Sequence, residues 1–507
     1  MVQLTGQMAQ EAARAVGLVV VGVWLAGCAV GPDFAPPPAP DVSGYTPEPL
    51  APTVTGAATP GGNAQRFVKD LDLPGQWWTL FRSKPLNALI DKALAANPDL
   101  QAAQAALVVA RENVYVQVGA LLPAVDANFT GNRQKFEIGQ PSDVGNVSIF
   151  NLFTGQLNIS YTPDVFGGTR RSIESLQAQQ DSQRFVLEAT YLTLISNLAG
   201  AAVQEASLRG QIAATQTIIK IETDVLELLR KQFKLGQIAE GDVVMQEAAL
   251  AQVEQTLPPL QKQLLQTRNL LAALTGGFPS ERLPQKFFLT ELRLPRELPV
   301  SLSSKIVEQR PDIRAAEALL HEASARVGVA TASLYPQITL SGTAGSLTTA
   351  IGNLLSGGTG FALLGASLAQ PLFHGGQLRA EKRAAVAAYE QAGGAYREVV
   401  LEGFRDVADT LSALDADARS LHERAEASSL ARSAFEIASK RYDAGGVSLL
   451  EKLDAERLMR SASLEQIDAV ADRLADSAAL FQALGGGWWA EPEDRTVAAQ
   501  APPPPAP

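Results

Sequence analysis

One cysteine and three histidines in 507 residues leave no thiol pair for a disulfide within the chain and no Cys-rich set for a structural zinc site. Acidic residues outnumber basic ones, 53 to 42, for a formal net charge of −11. That balance argues against a nucleic-acid partner, which needs a basic face. Charged residues are 19% of the chain, aromatics 6% and hydrophobics 46%. The charged share falls below the roughly 25% of ordinary soluble domains, which indicates more than a cytosolic globule. No GxxxxGK[ST], GxSxG or HExxH is present, so neither a nucleotide engine nor a common hydrolase site is legible. His321, His374 and His422 fall opposite Val108, Phe166 and Ala213 of an internal repeat described below, so no histidine pair recurs. The expectation is no metal, no small-molecule cofactor and no enzyme.

What is present begins with an address. Arg14 precedes an uncharged run, Ala15 to Pro32, whose apolar centre, Val16–Ala26, is too short to span a bilayer. The run closes on Leu25-Ala26-Gly27-Cys28, which resembles a bacterial lipobox, so Cys28 is expected to carry a covalent lipid after cleavage of a signal peptide over residues 1–27. Ala29 in the next position fits outer-membrane sorting, and either Met1 or Met8 can serve as the start. Gly31 to Gly62 is rich in Pro, Gly, Ser and Thr and reads as an extended tether, and the Pro-rich end, residues 501–507, reads as a disordered tail.

The chain is internally duplicated. Asn97-Pro98-Asp99-Leu100 returns as Arg310-Pro311-Asp312-Ile313, an offset of 213 that also carries Pro123 onto Pro336. Pro163, Gly167, Gly168 and Arg171 return as Pro371, Gly375, Gly376 and Arg379 at 208, and Phe233, Gly236, Asp242 and Gly276 as Tyr442, Gly445, Glu451 and Gly485 at 209. A period this long means a doubled half-protein, not a solenoid. In each half a Pro-free stretch rich in Ala, Leu, Gln, Glu and Arg predicts a very long helix. From Gly168 to about Leu235 the rise of 1.5 Å per residue gives on the order of 100 Å. The helices turn at Gly236 and Gly445, where glycine can take the left-handed C-cap conformation, and return near Asp242–Leu274 and Ser448–Leu484.

Between the helices lie alternating segments. Val125, Ala127 and Phe129 alternate with Asp126, Asn128 and Thr130, and Leu157, Ile159 and Tyr161 with Asn158, Ser160 and Thr162. In the second half Ile338 and Leu340 alternate with Thr339 and Ser341, and Phe361–Gln370 is apolar but irregular. The spacing predicts strands of 9 to 11 residues with an apolar outer face, as in a transmembrane barrel. Four strands cannot close such a barrel, and an open edge in lipid leaves backbone groups unpaired, so two, three or four copies must share one of 8, 12 or 16 strands. A lipid-anchored enzyme is disfavoured by the missing motifs. A coiled-coil scaffold lipoprotein explains the helices but not the alternating hairpins.

Cys28-Ala29-Val30-Gly31-Pro32-Asp33-Phe34, Trp77-Trp78-Thr79-Leu80-Phe81, Asp164-Val165-Phe166-Gly167-Gly168-Thr169-Arg170-Arg171, Gln309-Arg310-Pro311-Asp312-Ile313 and Pro371-Leu372-Phe373-His374-Gly375-Gly376 together resemble the TolC/OprM/NodT family of outer-membrane efflux proteins. The resemblance spans nearly the whole chain after Cys28. It implies a homotrimer with a 12-stranded outer-membrane β-barrel continuous with a 12-helix periplasmic tunnel, four strands and long helical hairpins per protomer, and a mixed equatorial belt. It further implies the passive exit duct of a tripartite pump for small molecules such as drugs. The partners would be a periplasmic membrane-fusion adaptor, an inner-membrane transporter, of RND type in the favoured reading, and outer-membrane lipid. A duct for type I protein secretion is the alternative within the same family.

On that frame residues 1–27 are the signal peptide, 28–75 the lipid anchor and extended linker, 76–97 an equatorial segment, 98–122 the first-repeat helix, 123–163 the first β-hairpin and 164–275 the first long helical hairpin. Residues 276–310 are the equatorial crossover, 311–335 the second-repeat helix, 336–371 the second β-hairpin, 372–484 the second helical hairpin, and 485–507 an equatorial segment with the tail. The resemblance also implies a periplasmic gate at the helical turns. Its matching residues are Tyr442 and Asp242, a phenol and a carboxylate suited to a hydrogen bond, while Glu451 and Asp454, three residues apart on one helix face, match acidic pore rings. Val447 stands where TolC has a gate arginine, which points to an apolar constriction of Val447 and Leu449.

Overall fold

The computed structural model describes residues 29–42, 44–48, 59, 61–69, 71–138, 146–281, 283–300 and 305–490. Cys28, the expected signal peptide, part of the expected linker and the C-terminal tail lie outside the described residues. In chain order the elements are β1 (Arg66–Lys69), α1 (Lys84–Ala96), α2 (Pro98–Gly119), β2 (Ala124–Ile138), β3 (Asn146–Tyr161), α3 (Gly168–Lys234), α4 (Glu240–Glu254) and α5 (Leu257–Leu274). The second half adds β4 (Glu297–Val300), α6 (Ile306–Gln309), α7 (Pro311–Ala332), β5 (Gln337–Thr348), β6 (Gly360–Ala369), α8 (Gln377–Asp443) and α9 (Leu449–Ala483). The chain divides into two compact units. Of the described residues, one unit takes those up to Pro36, within Val108–Ser182 and within Ala316–Tyr396; the other takes those within Pro37–Leu107, within Gln183–Ala315 and from Arg397 to Ala490.

The first unit carries one antiparallel sheet in the order β2-β3-β5-β6. The two hairpins are joined through β3 and β5, from Tyr161 opposite Leu340 to Phe153 opposite Thr348. Strands β2 and β6 are its edges. Register sets Val125 beside Ile159 and Ala127 beside Leu157 on one face, and Asp126 beside Asn158 and Asn128 beside Gln156 on the other. Val125, Phe129, Leu157, Ile159 and Leu340 are exposed, and so is every residue of β6. An exposed apolar sheet face of this kind is one that meets lipid or other protein, not water. The first hairpin is longer than the alternation indicates, 15 and 16 residues against the expected 9 to 11. The apolar period stops at Arg133 and Lys135, but a backbone ladder needs no apolar side chain to continue.

The duplication reaches individual hydrogen bonds. Asn97 caps α2 by accepting from the Leu100 N–H at 3.0 Å, and its amide donates to the Leu274 carbonyl at 3.0 Å, where α5 ends. In the second half Arg310 takes that place, donating to the Ala483 carbonyl at 3.0 Å, where α9 ends. The residues that follow each helix, Gly276 (φ +70°) and Gly485 (φ +94°), press against the carbonyls of Ala96 and Gln309 respectively. A Cβ on Gly485 would lie 2.5 Å from the Gln309 oxygen, so neither backbone shape nor space admits a side chain. Helices α3 and α8 are both 67 residues long, about 100 Å at 1.5 Å per residue.

The return helix of the first half is not the continuous one expected over 242–274. It breaks at Gln255 and Thr256, because Pro258 and Pro259 can supply no N–H to an α-helical ladder and Pro258 is instead set at the start of α5. The second half has no proline there, and α9 runs unbroken for 35 residues. Within the second unit the short linker strand β1 pairs in parallel with β4, Arg66 opposite Glu297 through Lys69 opposite Val300. Beside it Trp77 is fully buried against Phe481, ring centroids 5.3 Å apart, and Trp78 lies edge-on to Tyr191. Trp488 donates to the Gln309 carbonyl at 2.7 Å, so these tryptophans serve packing.

Gly276→Ala and Gly485→Ala are each expected to cost about 1–3 kcal/mol through forced positive φ and collision with a carbonyl. Gly200→Ala, in open space within α3, should be neutral or stabilising by up to about 1 kcal/mol. Thermal unfolding of the three detergent-solubilised variants checks the contrast.

Candidate functional site

The two helical turns are built alike. At the end of α3 the Gly236 N–H donates to Phe233 at 2.9 Å and Gln237 to Gln232 at 3.0 Å; at the end of α8 Gly445 donates to Tyr442 at 2.9 Å and Gly446 to Arg441 at 2.8 Å. These bonds satisfy the last carbonyls of each helix, and they require the left-handed backbone seen at Gly236 (φ +71°) and Gly445 (φ +72°). The return helices open on polar caps. Asp242 accepts from the Ala239 N–H at 3.3 Å at the start of α4, and the Ser448 hydroxyl accepts from the Glu451 N–H at 3.2 Å at the start of α9.

Behind the turns the four helix ends share an apolar cluster. Leu226 and Leu229 of α3, Val243 of α4, and Leu449 and Leu453 of α9 are buried together, with Val225, Ile238, Leu250 and Tyr442 packed against them. Leu449, expected with Val447 to form an apolar constriction, belongs to this cluster. Leu449 is spent inside the cluster and presents little surface, whereas Val447, half-buried, stays at the turn. Tyr442 and Asp242 face one another electrostatically without a direct hydrogen bond. Burial raises the Tyr442 phenol above its ordinary pKa of 10, and the charges of Asp242 and Asp443 raise it further. The Lys452 ammonium lies 5.1 Å over the Tyr442 ring, a cation–π contact.

The acidic pair has basic company. Arg441 reaches Glu451 at 3.4 Å across the turn, and Arg457 pairs with Asp454 one turn along α9. All four side chains are more than half exposed, so each pair is worth about 0–1 kcal/mol and is screened by salt. A guanidinium is therefore present at this turn although Val447 is not one. The sequence analysis does not single out Arg441, Arg457 and Lys452; the signal that could have found Arg457 is its spacing of three residues from Asp454 on one helix.

The comparisons with known proteins agree on one family. The model described as "Outer membrane efflux protein" matches residues 89–277 and again 302–486, well over half of the chain and once per repeat. The chain belongs to the outer membrane efflux protein family. The pyoverdine export outer membrane protein OpmQ of Pseudomonas putida is 32% identical over 453 residues, 88% of this chain and 96% of that one. The toluene efflux pump outer membrane protein TtgC of Pseudomonas putida is 29% identical over 484 residues, 93% and 95% of the two chains. Among solved structures, the outer-membrane channel OprN superposes with a TM-score of 0.79 at 28% identity, covering 91% of this chain and all of that one. The open state of the Neisseria gonorrhoeae MtrE outer membrane channel gives 0.77 at 27% identity, covering 91% and 99%. This efflux protein is an outer-membrane channel component with a periplasmic extension, and not an enzyme.

In this efflux protein the residues next to Cys28 are strapped to the first unit. The Val30 N–H donates to the Phe166 carbonyl at 3.1 Å. Arg171, its side chain only 6% exposed, donates to the carbonyls of Val30 (3.3 Å) and Gly31 (3.4 Å) and to the carboxylates of Asp33 and Glu174, both at 2.7 Å. Glu174 in turn meets His321 at 2.9 Å, and the His321 ring stacks on Phe34 at 4.4 Å. Gly31 (φ +105°) lies so close to Gly328 that a Cβ would be 2.5 Å from its Cα. Arg170 turns to Asp164, which caps α3 through the Thr169 and Arg170 N–H groups at 3.0 and 2.9 Å. Both arginines thus bond to loop segments, and Arg171 also to Glu174 on its own helix. Arg171→Ala strips two carbonyls and Glu174 of their donor, at about 1–3 kcal/mol. Proteinase K treatment in detergent should then cut between Ala29 and Phe34 several times faster than in the parent protein.

Proposed function

We propose that three copies of this chain form the exit duct of a tripartite efflux pump, and that the duct passes small organic molecules. The observation that carries it is the four-stranded sheet with an exposed apolar face and edges at β2 and β6. In hydrocarbon an unpaired edge costs several kcal/mol per backbone group, so β2 of one copy must pair with β6 of the next. Three copies give 12 strands, the number that the family resemblance implies. As an outer-membrane efflux component the protein works with a periplasmic adaptor and an inner-membrane transporter; an RND-type transporter is the reading favoured here. Relatives named for pyoverdine export and toluene efflux support small-molecule cargo over secreted protein.

A lipid on Cys28 completes the assignment. The strap of Ala29–Phe34 supports it, because it holds the chain beside Phe166 and Gly167, where α3 meets β3. The gate is assigned to the helical turns, with Gly236 and Gly445 as hinges, Tyr442, Asp242 and Val447 around the constriction, and Glu451 and Asp454 as acidic rings tempered by Arg441 and Arg457. In a trimer each side chain recurs three times about the axis, which multiplies a weak charge into a cation preference.

Single-channel recording of the detergent-purified protein, with its oligomeric mass, tests the assignment. A trimer with cation-preferring pores is expected, and Tyr442→Phe combined with Asp242→Asn should raise conductance roughly twofold or more. A soluble, pore-inactive species would sink the duct, and unchanged conductance in the double variant would sink the gate.

A further inference from the structure

One helical turn beyond the apolar cluster at the hairpin ends, the same three helices present a polar layer. Glu222 lies four residues before Leu226 on α3, Gln246 three after Val243 on α4, and Glu456 three after Leu453 on α9, and all three side chains are fully buried. Glu222 has two partners. Arg460 of α9 pairs with it at 2.6 Å, and the Gln246 amide donates to its carboxylate at 2.5 Å and to its backbone carbonyl at 3.1 Å. Glu456 is not served: neither carboxylate oxygen has a hydrogen-bond partner among the described residues.

The contrast with Glu205 makes the omission informative. That carboxylate is just as buried, yet Arg209 and Arg268 close on it at 2.6 and 2.7 Å. An ionised carboxylate sealed from water without hydrogen bonds is costly enough that it takes up a proton instead. The charged groups around Glu456 do not remove that cost. From α3 it faces the negative Glu222; on α4 the buried Gln246 is neutral and bonded to Glu222, and Glu247 pairs with Arg230 at 2.7 Å. On its own helix Arg460 is engaged with Glu222, and Lys452 is engaged with the Tyr442 ring at the end of α8. Burial first, then the charge of Glu222, push the Glu456 carboxyl up to about 7, against the pull of Arg460 and Lys452.

We propose that Glu456, with Glu222 and Arg460, is a proton-operated latch between α9 of the second hairpin and both helices of the first, closed while the carboxyl keeps its proton and loosened when it ionises. The proposal rests on the duct reading above and adds a control to its gate. The sign follows from linkage. The packed state holds the proton more tightly than an opened state in which Glu456 meets water and has its ordinary value of 4.5. The stability of the packed state is therefore fully present below about 4.5, falls as pH rises toward 7, and levels off above it. A periplasm at neutral pH would sit on the upper shoulder of that slope, where the latch is weakest, and acidification would tighten it.

Hydrogen–deuterium exchange of the full-length protein in detergent micelles tests the latch without requiring the protein to conduct. After correction for intrinsic exchange, peptides covering 449–462 should lose roughly tenfold in protection between pH 6 and pH 8 in the wild type. Glu456→Gln, which keeps the shape of the neutral acid, should hold the pH 6 protection throughout. The same pH dependence in the variant and the wild type would overturn the proposal, and so would protection lost at every pH, because the carboxyl would then be a structural group only. Conductance recorded on the same preparations separates the two readings. Pores with no pH-linked change in α9 leave the duct and remove the latch, whereas a pH-linked change in a preparation without pores keeps the proton-linked contact and removes the duct.

Discussion

The backbone of β2 and β6 is the constraint on which the rest depends. A sheet of four strands with an apolar face can enter a bilayer only if its edge N–H and C=O groups are paired, because hydrocarbon supplies no replacement partners. A soluble protein could blunt such an edge with charge, a bulge or a covering loop. Here β6 reads Gly-Phe-Ala-Leu-Leu-Gly-Ala-Ser-Leu-Ala without a single charge, so the edge is built to be paired. The low charged fraction, the antiparallel register and the need for further copies of the chain all follow from the same requirement.

The helices answer a second requirement, since a 67-residue helix gains little from propensity alone and must be held along its length by neighbours. The duplicated fixings show where the fold permits no slack. Gly276 against Ala96 and Gly485 against Gln309 lock the two return helices to the starts of the two repeat helices. Asn97 and Arg310 do the same work with different chemistry, an amide cap in one half and a guanidinium in the other. Arg310 is also bound to Asp312 and Asp406, so the second half has a charged network where the first has a neutral cap. Duplication thus preserved the geometry of the joint while its residues diverged.

What was legible in the sequence followed from periodicity and from punctuation by glycine and proline. The long helices, both glycine turns and the four strands were readable because a repeat shows each signal twice. The break before α5 was written in Pro258 and Pro259 but outweighed by the apparent symmetry with α9, which has no such prolines. The lengths of β2 and β3 were underread because alternation reports only the part of a strand that lies against lipid. Leu449 looks the same in sequence whether it lines a channel or fills a core, and its packing against Leu226, Leu229 and Val243 is visible only in the fold. Arg441 and Lys452 were overlooked because their partners, Glu451 and Tyr442, lie across a turn.

The placement of polar groups beside the turns carries the last step. Replacing a buried ion pair by apolar residues is often neutral or stabilising, so Glu222 and Arg460 are a poor choice if the aim is to hold the helices together as tightly as possible. The layer nearer the turn, with Leu226, Leu453 and Val243, shows that apolar packing was available at this level of the bundle. What a polar layer adds is definition. The bonds that Gln246 and Arg460 make to Glu222 are met in one alignment of α3, α4 and α9 and lost in another, so sliding or rotation of α9 strands a charge instead of passing smoothly through intermediate packings. The gate proposed at these turns, shut or open and not partly ajar, is better served by such a layer than by a more stable but more slippery apolar one.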